Sequence, residues 1–229
     1  DTTADAVLHQ LTDLAGADGA ATDRLRRVGT RNLVDAARSA GATRIVAQSL
    51  AFAYAPGEKP ASESDPLDAG AADPRGAMVD GLLALEETAS EMDTAVLLRY
   101  GVLYGPGTWY NPGGAVAAAL SGDTDARLIA YLVADSSVTS FLHVADAARA
   151  SVAALDWPGG PVNIVDDDPA PGRDWLPVLA SALSVPAPPA RSGQVAWARG
   201  ASNDLARSRG WQPEFPTWRC GFAALASRR

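Results

Sequence analysis

Short strand-type runs alternate with segments of helical spacing along the first half of this chain, and that alternation limits the fold more than any other feature. Asp5-Ala6-Val7-Leu8-His9, Arg44-Ile45-Val46-Ala47-Gln48-Ser49 and the stretch from Thr94 to Arg99 are compact apolar runs. Between them, Leu25, Val28, Leu33, Ala36 and Ala37 recur at helical spacing, with Gly41 as a stop, and Met78, Leu82 and Leu85 recur at i, i+4 and i+7. Strand, helix and strand in repetition predict a parallel sheet with helices on its faces. A loop rich in Pro, Ser, Asp and Gly runs from about Ala55 to Gly76. Further on, the pattern predicts a helix from Gly114 to Leu120 and a strand from Leu128 to Val133. A helix from about Val144 carries Ala147, Ala148, Val152 and Leu155, and a strand follows from Pro161 to Val165. Trp175–Leu183, Asn203–Arg209 and the stretch around Phe222 read as helices.

Charge and cysteine content narrow the partners. The formal net charge is -8, so no basic face is available for a nucleic-acid backbone. No apolar run is long enough to span a membrane. The single cysteine, Cys220, precludes an intrachain disulfide and suits a reducing compartment, with the cytoplasm as the expected location.

Five strings then line up in order. They are Gly29-Thr30-Arg31-Asn32-Leu33-Val34-Asp35-Ala36-Ala37, the run Arg44–Ser49 leading to Tyr54, Leu98-Arg99 through Tyr104-Gly105-Pro106-Gly107, Phe141-Leu142-His143-Val144-Ala145-Asp146, and Val162-Asn163-Ile164. Together they resemble the NAD-dependent epimerase/dehydratase family of extended short-chain dehydrogenases/reductases. The resemblance implies an α/β fold, with a Rossmann-like parallel sheet and a small mixed C-terminal substrate lobe. Residues 1–104 would form an incomplete nucleotide-binding core and residues 105–229 mainly the lobe, with segments returning to the sheet. It also implies NAD or NADP as cofactor and a small molecule as substrate.

The departures from the family pattern are equally specific. The glycine-rich turn that lets backbone N–H groups approach a pyrophosphate is absent from this sequence. The chain opens at what the resemblance makes the family's fourth strand. The strand near Val7 would then have a bare edge, so either the sequence is a piece of a longer protein or a partner chain, such as a second copy, covers that edge. The family's catalytic Tyr-x-x-x-Lys pair falls on Met78 and Leu82, and its helping Ser on Leu50. The usual proton relay is therefore gone. The expected function is an atypical NAD(P)-dependent oxidoreductase or epimerase/dehydratase-like protein. The alternative is a non-catalytic relative that binds a metabolite or a partner.

Site candidates follow from the same resemblance. Ser49 and Tyr54 are the remaining candidates for catalytic work, each with a structural alternative. His9, Gln10 and Leu11, with Arg99, would lie beside the cofactor. Trp109 and Tyr110, in a Gly/Pro loop, either line a substrate pocket or cap the core. Arg199 would face the substrate cleft. His143 and Asp146 would anchor the C-terminal lobe, and with His9 as the one other histidine no metal site is expected. Asp166-Asp167-Asp168 reads as a solvated turn.

Overall fold

The computed structural model describes residues 3–13, 19–123 and 132–226. In chain order, β1 (Ala6–His9) leads to α1 (Gly19–Arg24), a π turn (Leu25–Gly29) and α2 (Thr30–Ser39). These are followed by β2 (Arg44–Leu50), α3 (Arg75–Ala89), β3 (Thr94–Tyr100), β4 (Val102–Tyr104) and α4 (Ala115–Leu120). Next come β5 (Val138–Thr139), β6 (Phe141–His143), α5 (Val144–Ala153), a 3-10 turn (Ala154–Asp156) and β7 (Gly160–Ile164). The chain closes with β8 (Ala170–Pro171), α6 (Gly172–Leu183), α7 (Asp204–Ser208) and α8 (Trp218–Ala226).

Four strands, β1, β2, β3 and β7 in that spatial order, make one parallel sheet. Strand alternation divides the core. Ile45, Ala47, Ala95 and Leu97 face Val34 and Ala37 of α2 and Leu85 and Ala89 of α3. Val46, Val96, Leu98, Val162 and Ile164 face Ala147 and Ala150 of α5, with Trp157 and Trp211 closing that layer. Tyr104, Phe141, Trp175, Leu176, Leu179, Trp218 and Phe222 form a separate aromatic-rich core around the small sheets and α6. Each fully buried Leu, Ile or Phe contributes about 1.5–3 kcal/mol.

Several expectations are corrected. The first helical stretch begins at Gly19, ahead of Leu25, and its inward side chains are Thr30, Val34 and Ala37. Val28 is 50% exposed. The π turn adds a residue to one helical turn; Ala37 is buried as expected, but its inward partner is Val34, while Leu33 and Ala36 are not buried. On α5 the inward face is Ala147, Ala150 and Ser151, while Val152 lies in solvent. The strand expected over 128–133 falls mostly outside the described residues, and Leu132 and Val133 are not in a strand.

The two sheet edges differ. On β7, the outward Asn163 N–H donates to Glu63 Oε1 at 2.7 Å and the Asn163 side-chain amide donates to Ala61 O at 3.1 Å, so the long loop covers that edge. On the other side, β1 pairs only with β2 among the described strands, and Leu8 and the following Leu11 are 47% and 62% exposed.

Candidate functional site

Met78 and Leu82 lie at the carboxyl end of the parallel sheet. Leu82 is buried and Met78 half-buried. They pack with Ala51 and Ala53, just past β2, and with Val165, just past β7. Leu50, at the end of β2, joins the same cluster. All of these side chains are apolar, and none can accept or deliver a proton.

One turn further along α3 the chemistry changes. Glu86 occupies the inward face together with Val79, Leu82 and Ala89. Its Oε1 accepts from Ser49 Oγ at 2.6 Å and from Arg99 Nε at 3.0 Å, and its Oε2 accepts from Arg99 Nη2 at 2.7 Å. Arg99 Nη1 donates to the Tyr54 hydroxyl at 2.9 Å, and that hydroxyl donates to Asn163 Oδ1 at 2.7 Å. This chain of bonds joins β2, α3, β3, the loop and β7. Burial works against the charge on Arg99, but hydrogen bonding to Glu86 and its field more than offset this and raise the pKa. Burial also raises the Tyr54 pKa, and the neighbouring Arg99 offsets only part of that rise. Glu86 had a sequence signal, since an acidic residue on an otherwise apolar helix face requires a buried partner.

Ser49 and Tyr54 therefore have their hydroxyl protons directed at Glu86 and Asn163 within the network. Arg99 spends all three guanidinium nitrogens on Glu86 and Tyr54. Arg199 is buried and clamps the loop, donating from Nε to Ala55 O at 3.0 Å and from Nη1 to Lys59 O at 2.7 Å, with Asp65 at 3.4 Å from Nη2. Gly57 permits this, because a Cβ there would stand 2.7 Å from Arg199 Cζ. A polar concavity of about 540 Å3 opens beside the clamp, lined by Lys59, Glu63, Ser202 and Asp204 among others.

Trp109 and Tyr110 separate. Trp109 is 38% exposed. Tyr110 packs against Phe141 and Trp175, and burial pushes its hydroxyl up to about 12. His9 and Gln10 end β1 with unused polar atoms. His9 Nε2 bonds Thr30 Oγ1 at 2.8 Å, and Gln10 Oε1 accepts from Tyr100 at 3.1 Å. His9 Nδ1 and Gln10 Nε2 are buried without a partner among the described residues. Burial lowers the His9 pKa, so the imidazole is neutral near pH 7. Neutral donors and acceptors left unused at the carboxyl end of a parallel strand suit a polar, nucleotide-type ligand.

In the lobe, His143 stacks on Phe215 at 3.8 Å, and Asp146 accepts the backbone N–H of Glu214 and Phe215 at 2.7 and 3.0 Å, fastening the C-terminal segment. The acidic run is not uniformly solvated. Asp167 and Asp168 pair with Arg207 and Arg219. Asp166 is buried, leaves Oδ2 unpartnered among the described residues, and is pushed up to about 8 by desolvation.

Among the described residues no helix is long and apolar enough to cross a membrane. A 3-diazoavenalumate denitrifying reductase from a Streptomyces species is 43% identical over 241 residues, an alignment covering 94% of this chain and 78% of that protein. Among solved structures, a short-chain dehydrogenase/reductase superfamily protein from Agrobacterium tumefaciens with bound NAD superposes with a TM-score of 0.74 at 21% identity, covering 97% of this chain and 78% of that one. WbmG from Bordetella bronchiseptica, in complex with NAD and UDP, gives 0.69 at 19% identity, covering 97% and 73%. UDP-glucose 4-epimerase from Thermotoga maritima, with UDP-glucose, gives 0.71 at 17%, covering 97% and 76%. The sequence profile of the NAD dependent epimerase/dehydratase family matches residues 1–164, so this chain, with its parallel sheet and its aliphatic Met78 and Leu82, belongs to that family.

Proposed function

We propose that this protein is an NAD(P)H-dependent reductase that replaces an aryl diazo group by hydrogen and releases it as dinitrogen. The observation that carries the reading is the apolar surface at Met78 and Leu82, where the family's acid–base pair would stand. Reduction of a carbonyl needs a proton at oxygen as hydride arrives, and among the described residues the Met78 and Leu82 surface offers no donor for one, the Ser49 and Tyr54 hydroxyls being committed to Glu86 and Asn163. Reduction of an arenediazonium does not. A reduced nicotinamide, when bound, supplies one hydride: a C–H bond forms, the C–N bond breaks, N2 leaves, and Ar–N2+ plus NAD(P)H balance Ar–H, N2 and NAD(P)+ with no proton consumed. The relative named as a denitrifying reductase of a diazo compound supports the same chemistry.

The chain's own residues then take distinct parts. His9, Gln10 and Leu11 line the cofactor at the end of β1. Leu50, Met78 and Leu82 exclude water, which would otherwise attack the same carbon and give a phenol. Trp109 offers an exposed aromatic face to the substrate ring, and Tyr110 forms the wall behind it. Ser49, Tyr54 and Arg99 hold the strand ends and α3 in register, and Arg199 holds the loop.

The test is turnover by the protein expressed from its complete gene, with an arenediazonium salt and NAD(P)H deuterated at the transferable position. Dinitrogen release with deuterium in the arene is the expected result. Nitrogen loss that yields only phenol, at the rate seen without protein, rejects the reading.

A second reading rests on the bare β1 edge with exposed Leu8 and Leu11. There the protein is a non-catalytic relative that docks a partner chain or a second copy by strand addition. A monomer in size-exclusion chromatography that also turns over the diazonium rejects it.

A further inference from the structure

Arg26 is a half-buried cation whose charge no carboxylate among the described residues neutralises directly. It sits on the π turn, Leu25–Gly29, where the added residue turns it toward α3 while the neighbouring Arg24 and Arg27 stay exposed. Its Nη1 donates to the carbonyl of Met78 at 3.3 Å. Gly81 makes the approach possible: a Cβ there would stand 3.4 Å from Arg26 Cδ and 2.6 Å from Asp23 Oδ1. The guanidinium thus reaches across the turn of α3 that carries Met78.

Asp23 is the neighbouring carboxylate, but both its oxygens accept from Arg27 Nε, at 2.9 and 3.1 Å. Among the described residues Arg26 makes that one carbonyl hydrogen bond and no ion pair. Burial lowers its pKa and the field of Asp23 offsets part of the effect, yet a guanidinium remains charged at neutral pH. Five donors with one carbonyl partner, partly withdrawn from water, are costly unless an anion completes the set. The cation also lies beside Met78, the residue we assign to the wall of the reaction site.

We propose that Arg26 binds the carboxylate of the substrate and so orients the ring over the Met78 turn. The proposal rests on the diazo-reductase reading, in which the substrate is an aryl diazo compound; the "-ate" in the name of the relative's substrate supports an acid group on it. A guanidinium matches a carboxylate in shape and can bind it through two parallel hydrogen bonds.

The test uses a benzoate carrying a diazonium group meta to the carboxylate, its methyl ester, and the variants Arg26→Gln and Arg26→Lys. In the wild type the acid should have a KM about tenfold or more below that of the ester. R26Q should raise the acid's KM about ten- to a hundredfold and bring the acid-to-ester ratio near one, and R26K should recover part of the loss. An unchanged ratio in R26Q overturns the proposal. So does a rise confined to the KM for NAD(P)H, which would assign the guanidinium to a cofactor phosphate. Calorimetric titration with benzoate and benzamide separates this idea from its parent, because it needs no turnover. Benzoate binding that is stronger than benzamide binding and lost in R26Q upholds Arg26 even if no diazonium is reduced. Equal binding of benzoate by both proteins overturns it even if the diazonium reaction is confirmed.

Discussion

The two halves of α3 have been treated differently. Its first half presents Met78 and Leu82, a thioether and an aliphatic group packed in an apolar cluster, at the positions to which our reading of the sequence assigns the family's Tyr and Lys. Its second half presents Glu86, bound to Ser49 and Arg99 and through them to Tyr54 and Asn163. Proton transfer and positioning are therefore separable in this scaffold. On that reading the groups that would move a proton are replaced, while the ionic network that fixes the strand ends beneath them is complete. Stability alone does not call for a buried ion pair, since an apolar pair of similar volume is often as stable, so the pair fits a positioning role.

The largest effect should come from breaking that network. Glu86→Leu leaves Arg99 buried without a carboxylate and Ser49 without its acceptor, and it should lower unfolding stability in urea by about 3–5 kcal/mol. Adding Arg99→Leu should restore much of the loss. A double variant no more stable than the single one would show that geometry, rather than charge pairing, holds the site.

Asp166 sharpens the contrast by showing a buried carboxylate that has no arginine hydrogen-bonded to it. Its folded pKa, about 8, lies above the unfolded value of 3.8 because burial disfavours the anion. The folded state therefore keeps its proton while the unfolded chain loses it, and the stability it confers falls as pH rises from about 4 to about 8. Asp166→Asn should not lose that share. Its stability relative to wild type should climb across the window, by several kcal/mol at pH 8. Thermal unfolding at pH 4, 6 and 8 checks this, and curves that run parallel would contradict it.

A smaller effect is expected within the network from Tyr54→Phe. It leaves Arg99 Nη1 and Asn163 Oδ1 each short of a partner but removes no charge, so the cost should be about 1–3 kcal/mol. Diazonium turnover should fall only in proportion to the folded fraction. A collapse of turnover in a well-folded variant would give Tyr54 a part in the chemistry.

The sheet, its parallel sense and the position of α3 were legible in the sequence because strand-type runs and helical spacing are local signals. The inward face of α2 was legible only in part, at Ala37, because a π turn depends on tertiary packing and changes which residues turn inward without altering the hydrophobic count. Ser49, Tyr54, Arg99 and Arg199 were visible as polar residues at strand ends and loops, but their partners lie between 13 and 144 positions away, and no local pattern joins them. Glu86 and Arg26 were open to discovery by a simple rule, since each is a charge on a helical face that turns inward. Asp166 broke a compositional habit: a run of three acids reads as solvated, yet the first of them lies two residues past β7 and is buried, its N–H donating to the Phe141 carbonyl.

The smallest effect should come from restoring half of the missing relay. Met78→Tyr places a phenol at the position to which our reading assigns the family's Tyr, a half-buried one that can accept the ring with little strain, so the melting temperature should move by only about 2 °C. Leu82 remains, so no lysine is present to lower the new hydroxyl's pKa, and burial will push it the other way. Carbonyl reduction should therefore stay undetectable. The diazonium reaction should slow by less than about tenfold, but the phenol share of its products should rise severalfold, because a hydroxyl in the apolar wall brings water to the carbon that accepts hydride. Chromatographic measurement of arene and phenol from the same reaction reads both quantities. A variant that reduces ketones would show that the network under α3 still holds the site in a proton-transfer geometry, and that aliphatic residues at positions 78 and 82 were all that silenced it.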